Sequence, residues 1–370
     1  MHTMQPAIIR GRFEWDNELL PIEESEGRVE RLQREMQSAG LGSVLVFGNS
    51  AEYADLCYFT NYIPHARWAV AIVPSTGEPT LLVRAGERDL HFAKSLTWVG
   101  DVRTVEGLAA QIQEVLDGTK SMGGKAAQVG GLERVPESVY NSAVKGAGGQ
   151  IPVDATKLVW SMRLRKSSRE LRVMRAVRRI AVDSVGEIAA AHGKGLANDI
   201  ASIAGERAAL AEGVQDVRIM VNGETGPILR PPRGSLRRSS EIMVYLAAEY
   251  QGYWADATLF AGTRNPLQER CAAVLQQLIR GIRDGTVAGL LAEEVDLGSD
   301  GATMLQFFEN SLGNGIGLSL CEEPTLSAGS DFVFREGMTL ALHVGLTDNG
   351  TNHGLASEVV VVGKNGCEVV

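Results

Sequence analysis

The 370-residue sequence predicts an α+β protein of two domains, because helical and strand-like segments are arranged differently in its two halves. Up to about Val153, short helical segments alternate with short apolar runs, which predicts a small α/β domain. The second half begins with long helical segments and ends with several strand-like runs, which predicts a mostly antiparallel sheet flanked by helices. The length exceeds one simple core, so we predict domains over residues 1–155 and 156–370.

Local signals place the elements of the first half. Apolar residues at helical spacing, followed by glycine, predict an amphipathic helix over EGRVERLQREMQSAGLG. Short apolar runs, the last two separated by the turn-forming STGE, predict three strands: SVLVFG, WAVAIVP and PTLLVR. Two further helices and a strand between them are predicted over GLAAQIQEVLDG, AAQVGG and SVYNSAVKGAGG.

The second half opens with its longest helical segment, KSSRELRVMRAVRRIAVDSVGEIAAAHGKG. Its Ser-Ser-x-Glu start resembles a capping box, and its apolar periodicity is sustained. A second helix is predicted over NDIASIAGERAALAEG, and a third over PLQERCAAVLQQLIRGIRDG. The strand-like runs are DVRIMV, EIMVYLAAEYQGYWADATLFAG, MTLALHVGL and SEVVVVG.

Composition excludes several classes of partner and location. The net charge of −9 and the pI near 5.3 are not those of a protein that binds nucleic acid or an anionic membrane. The one basic run, RPPRGSLRR, is short and lies in a Pro/Gly-rich loop. The four cysteines have no metal-ligand spacing and form no disulfide framework, which favours a cytoplasmic location. Neither a signal peptide nor a membrane-spanning run is predicted.

Several segments, in order along the chain, are similar to one family. The loop GNGIGLSLCEEP resembles the pattern Gly-His-Gly-Ile-Gly-Leu-x-x-His-Glu-x-Pro. REGMTLALHVG resembles a Pro-Gly-Met strand that leads to a ligand glutamate, and HGLASEVVVVG a closing strand with a last ligand. SVLVFGNSAEYADLCYFTNY and RWAVAIVPSTGEPTLLV are similar to the N-terminal domain of creatinases and prolidases. The chain thus resembles the creatinase/aminopeptidase P/prolidase superfamily (peptidase M24), whose C-terminal domain has the pita-bread fold.

That resemblance implies a two-metal site, from which this sequence departs. Metal-dependent members bind two divalent ions with two Asp, one His and two Glu, because hard oxygen ligands hold ions that acidify a shared water. The matching positions here are Tyr245, Asp256, Asn314, His343 and Glu358. Only Asp256 and Glu358 keep the ligand, so we predict no dinuclear site and no cofactor. One ion held by Asp256, His343 and Glu358 remains an alternative.

The replacing side chains can donate protons or hydrogen bonds, which favours changed chemistry over decay. We predict a metal-independent hydrolase or lyase that cleaves a C–N or other C–X bond in a small carboxylate- or amide-bearing substrate. The predicted catalytic residues are His343, Asp256, Glu358 and Tyr245. A histidine between the carboxylates of Asp256 and Glu358 should have a raised pKa and act as general acid or base.

Five further residues are predicted to bind the substrate: Arg230, Asn314, Arg67, Cys321 and His353. Arg230, where the family often has a histidine, could hold a carboxylate or oxyanion, or form a buried ion pair with Asp256. The resemblance implies that Arg67 could reach the site of a neighbouring subunit, and a surface arginine is the alternative. Cys321 could be a nucleophile or an inert cysteine, and His353 a site residue or a loop histidine.

Two other functions remain alternatives. The chain could be a non-catalytic binding module, since related folds persist after losing their ligands, or a residual Xaa-Pro-type metallopeptidase. The compact length, without long charged extensions, favours the enzyme. The resemblance also implies a homodimer, because creatinase-like sites are completed by a neighbouring subunit.

Overall fold

The computed structural model describes residues 14–65, 67–120, 128–223, 226–263, 265–295, 297, 302–308, 311–348 and 352–370, with the backbone alone at 87–88 and 119–120. These residues divide into two compact units, Glu14–Arg163 and Leu164–Val370, which we call the N-terminal and C-terminal units. Among the described helices, none combines the length and apolar character needed to cross a membrane.

The N-terminal unit is a mixed sheet with helices around it. Its helices are α1 (Ile22–Ala39), α2 (Ala54–Thr60), α3 (Glu87–Ser95), α4 (Leu108–Lys120), α5 (Glu137–Gly146) and α6 (Thr156–Leu164). Its strands are β1 (Ser43–Asn49), β2 (Trp68–Pro74), β3 (Thr80–Val83), β4 (Asp101–Thr104), β5 (Gln128–Gly130) and β6 (Val153–Asp154), in the order β4-β3-β2-β1-β5-β6. The neighbours β1–β2 and β2–β3 are antiparallel and the other pairs are parallel, which confirms the predicted α/β character.

The C-terminal unit has two antiparallel sheets and four helices. The helices are α7 (Ser168–Gly193), α8 (Asn198–Ala211), α9 (Pro266–Gly281) and α10 (Ala288–Glu294). The first sheet, in the order β10-β9-β7-β8, contains β7 (Asp216–Asn222), β8 (Leu229–Arg230), β9 (Ile242–Tyr250) and β10 (Tyr253–Ala261). The second contains β11 (Ala302–Met304), β12 (Gly313–Gly315), β13 (Glu322–Thr325), β14 (Thr339–Asp348), β15 (Asn352–Val362) and β16 (Cys367–Val369). Its order is β13-β12-β14-β15-β16, with β11 paired to β14.

Helix α7 begins at the predicted capping box. The hydroxyl oxygen of Ser167 accepts a hydrogen bond from the backbone N–H of Glu170 at 3.1 Å, and Oε2 of Glu170 accepts from the backbone N–H of Ser167 at 2.8 Å. The second carboxylate oxygen, Oε1, accepts from the hydroxyl of Tyr253 at 2.9 Å. A local helix-start signal therefore also fixes α7 against strand β10.

Alternation along the strands decides which side chains face the helices. Helices α7 and α8 pack against Val244 and Leu246 of β9, so Tyr245 between them points to the opposite face of the first sheet. Helix α9 packs against Leu342 of β14, so the next residue, His343, points away from that helix. The faces that the helices leave uncovered carry the candidate site.

Candidate active site

Three buried side chains from three strands form the centre of the site, and we call them the Asp256 cluster: Tyr245 on β9, Asp256 on β10 and His343 on β14. Nε2 of His343 lies 2.7 Å from Oδ2 of Asp256. The hydroxyl of Tyr245 donates to the same oxygen at 3.1 Å. The other oxygen, Oδ1, is buried and has no hydrogen-bond partner among the described residues.

Aromatic rings hold the cluster in place. The 3-10 turn Gln306–Phe308 supplies Phe308, whose ring stacks on His343 with centroids 5.0 Å apart and planes 17° apart. Phe307 packs against Tyr245 with a centroid distance of 5.0 Å. Phe308 thus restricts the rotation of the His343 imidazole, and Phe307 that of the Tyr245 phenol. Both rings also keep water from the faces that they cover.

The environment of Tyr245 keeps its phenol protonated. Burial, and then the negative charge and hydrogen bond of Asp256, raise the pKa of Tyr245 well above its ordinary value. With its proton retained, Tyr245 is a hydrogen-bond donor to Asp256.

The side chain of Glu358 does not lie on the same face of the second sheet as His343. In the register of β14 and β15, Ser357 lies opposite His343 and Glu358 lies opposite Leu342, whose side chain faces α9. Because side chains alternate along a strand, Glu358 points away from the face that carries His343. The prediction that His343 lies between two carboxylates is therefore wrong, and so is the alternative of one ion held by Asp256, His343 and Glu358.

Arg178 of α7 is the partner of Glu358. Its Nη2 and Nε lie 2.6 and 3.2 Å from Oε1 of Glu358, and its Nη1 donates to the backbone carbonyl of Asp256 at 2.5 Å. The ion pair neutralises one of the two retained carboxylates. Arg178 is not among the predicted site residues. Its position one helical turn after Met174, on the buried face of α7, is the signal that could have found it. An arginine on a buried helix face needs a buried partner.

Arg230 lies elsewhere than predicted. It is on β8 opposite Val221, which pairs with Val244 on the helix-covered face of the sheet. Its Nη2 forms an ion pair with Oδ1 of Asp199 on α8 at 3.1 Å. The expected pair with Asp256, and with it the predicted role in holding the substrate there, is wrong because the two side chains point to opposite faces.

The side chain of Asn314 forms hydrogen bonds within its own loop. Its side-chain amide donates to the carbonyls of Gly315 at 2.7 Å and Leu320 at 3.2 Å. In the same loop, the buried Glu322 pairs with Lys166 at 3.1 Å. These contacts explain how the loop keeps its shape without the histidine, and they leave the predicted substrate contact of Asn314 untested.

Cys321 is a poor candidate for a nucleophile. Although the residue is exposed, desolvation of its thiol raises the pKa, and the neighbouring Glu323 and Glu322 raise it further. A raised pKa lowers the fraction of the reactive thiolate at neutral pH. The nucleophile hypothesis therefore has no electrostatic support.

The two remaining predicted residues are not in the Asp256 cluster. His353 is buried on β15, with its Nδ1 3.0 Å from the hydroxyl of Thr347 and its Nε2 3.8 Å from a carboxylate oxygen of Glu241. His353 is therefore a buried strand residue and not the loop histidine of the alternative. Arg67 belongs to the N-terminal unit, where it is exposed and has a positive φ of 63° immediately before β2. Its role at a neighbouring site stays a prediction.

The described side chains do not fit the two-metal centre that the resemblance implies. Tyr245 and Asn314 are neutral where carboxylate and imidazole ligands are expected, and Arg178 neutralises Glu358. No group of three His, Cys, Asp or Glu side chains within the described ranges is arranged to hold a metal ion. Two divalent ions need more negative charge than Asp256 provides.

Comparison with known proteins now identifies the family. The model of metallopeptidase family M24 matches residues 158–364, and that of the creatinase/prolidase N-terminal domain matches residues 28–165. The chain belongs to metallopeptidase family M24. The predicted pita-bread domain, preceded by a creatinase-type N-terminal domain, is confirmed.

Relatives of this M24 chain are named as dipeptidases. It is 25% identical over 335 residues to the probable dipeptidase PepE of Mycobacterium tuberculosis, covering 84% of this chain and 86% of the relative. It is 25% identical over 139 residues to the Xaa-Pro dipeptidase of Pyrococcus horikoshii, covering 35% and 39%. The structure of dipeptidase PepE from Mycobacterium ulcerans superposes with a TM-score of 0.74 at 21% identity, covering 97% of this chain and 96% of the other.

These findings correct the functional prediction. The relatives are dipeptidases and the family is one of metallopeptidases, so the prediction of a metal-independent enzyme for C–N or other C–X cleavage is contradicted. The hydrolase class is supported, and the lyase alternative has no support among these relatives.

Proposed function

We propose that this chain is a peptide hydrolase that cleaves the amide bond of a dipeptide or a similarly short peptide. The observation that carries the proposal is the Asp256 cluster, in which one oxygen of a buried carboxylate contacts both a histidine and a tyrosine. It occupies ligand positions of a family whose relatives are named dipeptidases.

The cluster can hold and move a proton. When Nε2 of His343 donates to Asp256, the lone pair of the imidazole is on Nδ1, and that nitrogen can accept a proton from a water or a substrate. The carboxylate of Asp256 then stabilises the imidazolium.

A cavity beside the cluster supports a peptide substrate. Its volume is about 440 Å³, and its apolar lining residues are Pro227, Ile228, Leu229, Met304, Leu305 and Phe307. Phe307 also packs against Tyr245, so the cavity adjoins the cluster. Clefts of this size and character receive apolar groups of small ligands, such as a peptide side chain.

A panel of dipeptides, including Xaa-Pro members, tests the proposal. Release of free amino acids is measured with a chelator and with added Mn²⁺, Co²⁺ or Zn²⁺, and bound metal is determined by elemental analysis. We expect at least one dipeptide to be cleaved. Cleavage with two bound ions per chain would mean that Arg178 and Glu358 separate to admit metal. The absence of cleavage under every condition would contradict the proposal.

A second candidate is a binding protein that holds short peptides without cleaving them. The ion pair of Arg178 and Glu358 favours it, because the pair removes a ligand carboxylate from the site. Calorimetric binding of the same dipeptides without turnover would support this candidate over hydrolysis.

We also propose a cytoplasmic location. All four cysteines are free thiols, which a reducing compartment maintains.

A further inference from the structure

Arg218 of β7 lies on the same sheet face as the Asp256 cluster. It is opposite Ala247 of β9, which is in turn opposite Asp256 of β10, so the three residues form one row across three neighbouring strands. Strands lie about 4.8 Å apart, which places the Cα atoms of Arg218 and Asp256 roughly 10 Å apart. Arg218 lies outside the segments that resemble the family's motifs.

An aromatic ring supports the guanidinium of Arg218. Its Cζ lies 4.5 Å from the ring centroid of Trp254, a buried residue two positions before Asp256 on the same face of β10. Stacking on an indole orients the planar group and lowers the entropy lost when it binds a ligand. Half of the side chain of Arg218 (50%) remains exposed, so a ligand can reach it.

The acidic partner of Arg218 is weakly placed. Oδ2 of Asp216 lies 3.3 Å from both Nε and Nη2 of Arg218, and the Asp216 side chain is itself 34% exposed. Such an exposed pair contributes little free energy, so a ligand carboxylate can compete for the guanidinium. A planar guanidinium favours a carboxylate that binds through both oxygens.

Three buried or half-buried cations in the described part of the C-terminal unit already have carboxylate partners. Arg178 holds Glu358, Arg230 holds Asp199, and Lys166 holds Glu322. Strands β7, β9 and β10 contain no lysine and no arginine other than Arg218. Its positive charge reaches the cluster, because it acts to lower the pKa of Tyr245 against the larger raising effects of burial and Asp256.

We infer that Arg218, stacked on Trp254, binds the free carboxylate of the substrate and is a specificity-determining residue of the site. The inference rests on the proposed function and narrows it to short peptides that end in a free carboxylate. Peptide amides and esters, which lack the negative charge, are poor ligands.

Calorimetric binding of leucyl-phenylalanine and of its C-terminal amide tests this inference without requiring turnover. We expect wild type to bind the acid at least about tenfold more tightly than the amide, since a charged, paired hydrogen bond is lost. R218Q should reduce the preference to near one, and R218K should retain part of it because lysine keeps the charge but not the planar fork. The matched control is R335Q, which removes another exposed arginine of the C-terminal unit and should keep the preference.

The outcomes separate this inference from the proposed function. A preference for the acid that R218Q abolishes, without cleavage of any dipeptide, would support Arg218 and contradict the hydrolase. Cleavage without a preference in wild type, or a preference that persists in R218Q, would overturn the role of Arg218 and leave the hydrolase standing. Failure of wild type to bind either peptide would overturn the role of Arg218. If both variants retain the thermal transition of wild type, loss of preference is not a folding defect.

Discussion

One carboxylate oxygen of Asp256, Oδ2, lies within hydrogen-bonding distance of both His343 and Tyr245. His343 is held through Nε2, and Tyr245 is held as a protonated donor. The same buried carboxylate therefore fixes the orientation of a possible base and keeps the adjacent phenol neutral. At the scale of single residues, these contacts support the proposed proton transfer by His343.

Replacing His343 by glutamine should lower kcat on any cleaved dipeptide by about 10²–10⁴-fold, the range expected when a positioned acid or base is lost. The matched control is H192Q: His192 is also buried but lies on α7, with its Nε2 3.2 Å from the carbonyl of Ser239. H192Q should keep its kcat even if its thermal stability falls. An unchanged kcat in H343Q would rule out the proton-transfer role.

Replacing Tyr245 by phenylalanine should change the alkaline stability profile. The pKa of Tyr245 is raised in the folded protein, whereas the unfolded chain ionises near ~10. The folded state thus keeps the proton that the unfolded state loses, so this stabilisation is present below about pH 10 and lost as pH rises above it. In urea titrations from about pH 9 to about pH 11, wild type should lose more unfolding free energy than Y245F. Parallel profiles would contradict the shift.

Helix α7 covers the face of the first sheet that lies opposite the Asp256 cluster, and from there it supplies Arg178. Its Arg178 binds both a side chain of β15 and a backbone carbonyl of β10, and thereby links strands of the two sheets. Its packing against α8 depends on a close approach at Gly205. At the scale of elements, α7 connects the sheets and neutralises the retained glutamate.

Arg178→Met should destabilise the fold by about 3 kcal/mol, because Glu358 would keep an uncompensated, mostly buried charge. The double variant R178M/E358Q should be more stable than R178M, since it removes that charge. The neighbouring Arg179 is exposed and pairs with Glu212 on the surface, so R179M should cost only about 0–1 kcal/mol in the same urea titrations. Equal effects of R178M and R179M would contradict the buried pair.

Two helical glycines should respond oppositely to alanine. A Cβ on Gly205 would lie 2.5 Å from Cγ1 of Ile188 and 2.8 Å from the carbonyl oxygen of Ser184, so G205A should cost about 1–3 kcal/mol. Gly186 of α7 has no such neighbour within 4 Å, so G186A should be neutral or stabilise by up to about 1 kcal/mol. Urea unfolding compares the two, and a G205A variant as stable as G186A would contradict the close packing.

At the scale of the whole molecule, we propose that the chain forms a homodimer whose Arg67 acts at the partner's site. Size-exclusion chromatography with light scattering should give twice the chain mass of 39.7 kDa. Mixing R67Q subunits with H343Q subunits should restore activity, because mixed dimers contain one site with both residues intact. A monomeric mass would contradict the dimer, and a lack of recovery would place Arg67 outside the partner's site.

Local patterns made much of the fold predictable. The capping box of Ser167 and Glu170, the glycine stop of α1 at Gly40 and the strand alternation all depend on residues close in sequence. Which ligands are replaced is implied by the resemblance to the family's motifs. The contacts of Arg178 could not be predicted in either way, because Glu358 is 180 residues away along the chain.

The sequence by itself determined the two-part α+β architecture, the family resemblance and the identity of the side chains at the former ligand positions. Only the tertiary structure decided how those side chains pair. A shift of one residue along a strand reverses the face, so register turned Glu358 towards Arg178 and left Asp256 with His343. The strand pairing that placed Arg230 on the helix face also placed Arg218 beside Trp254, on the face that carries Asp256.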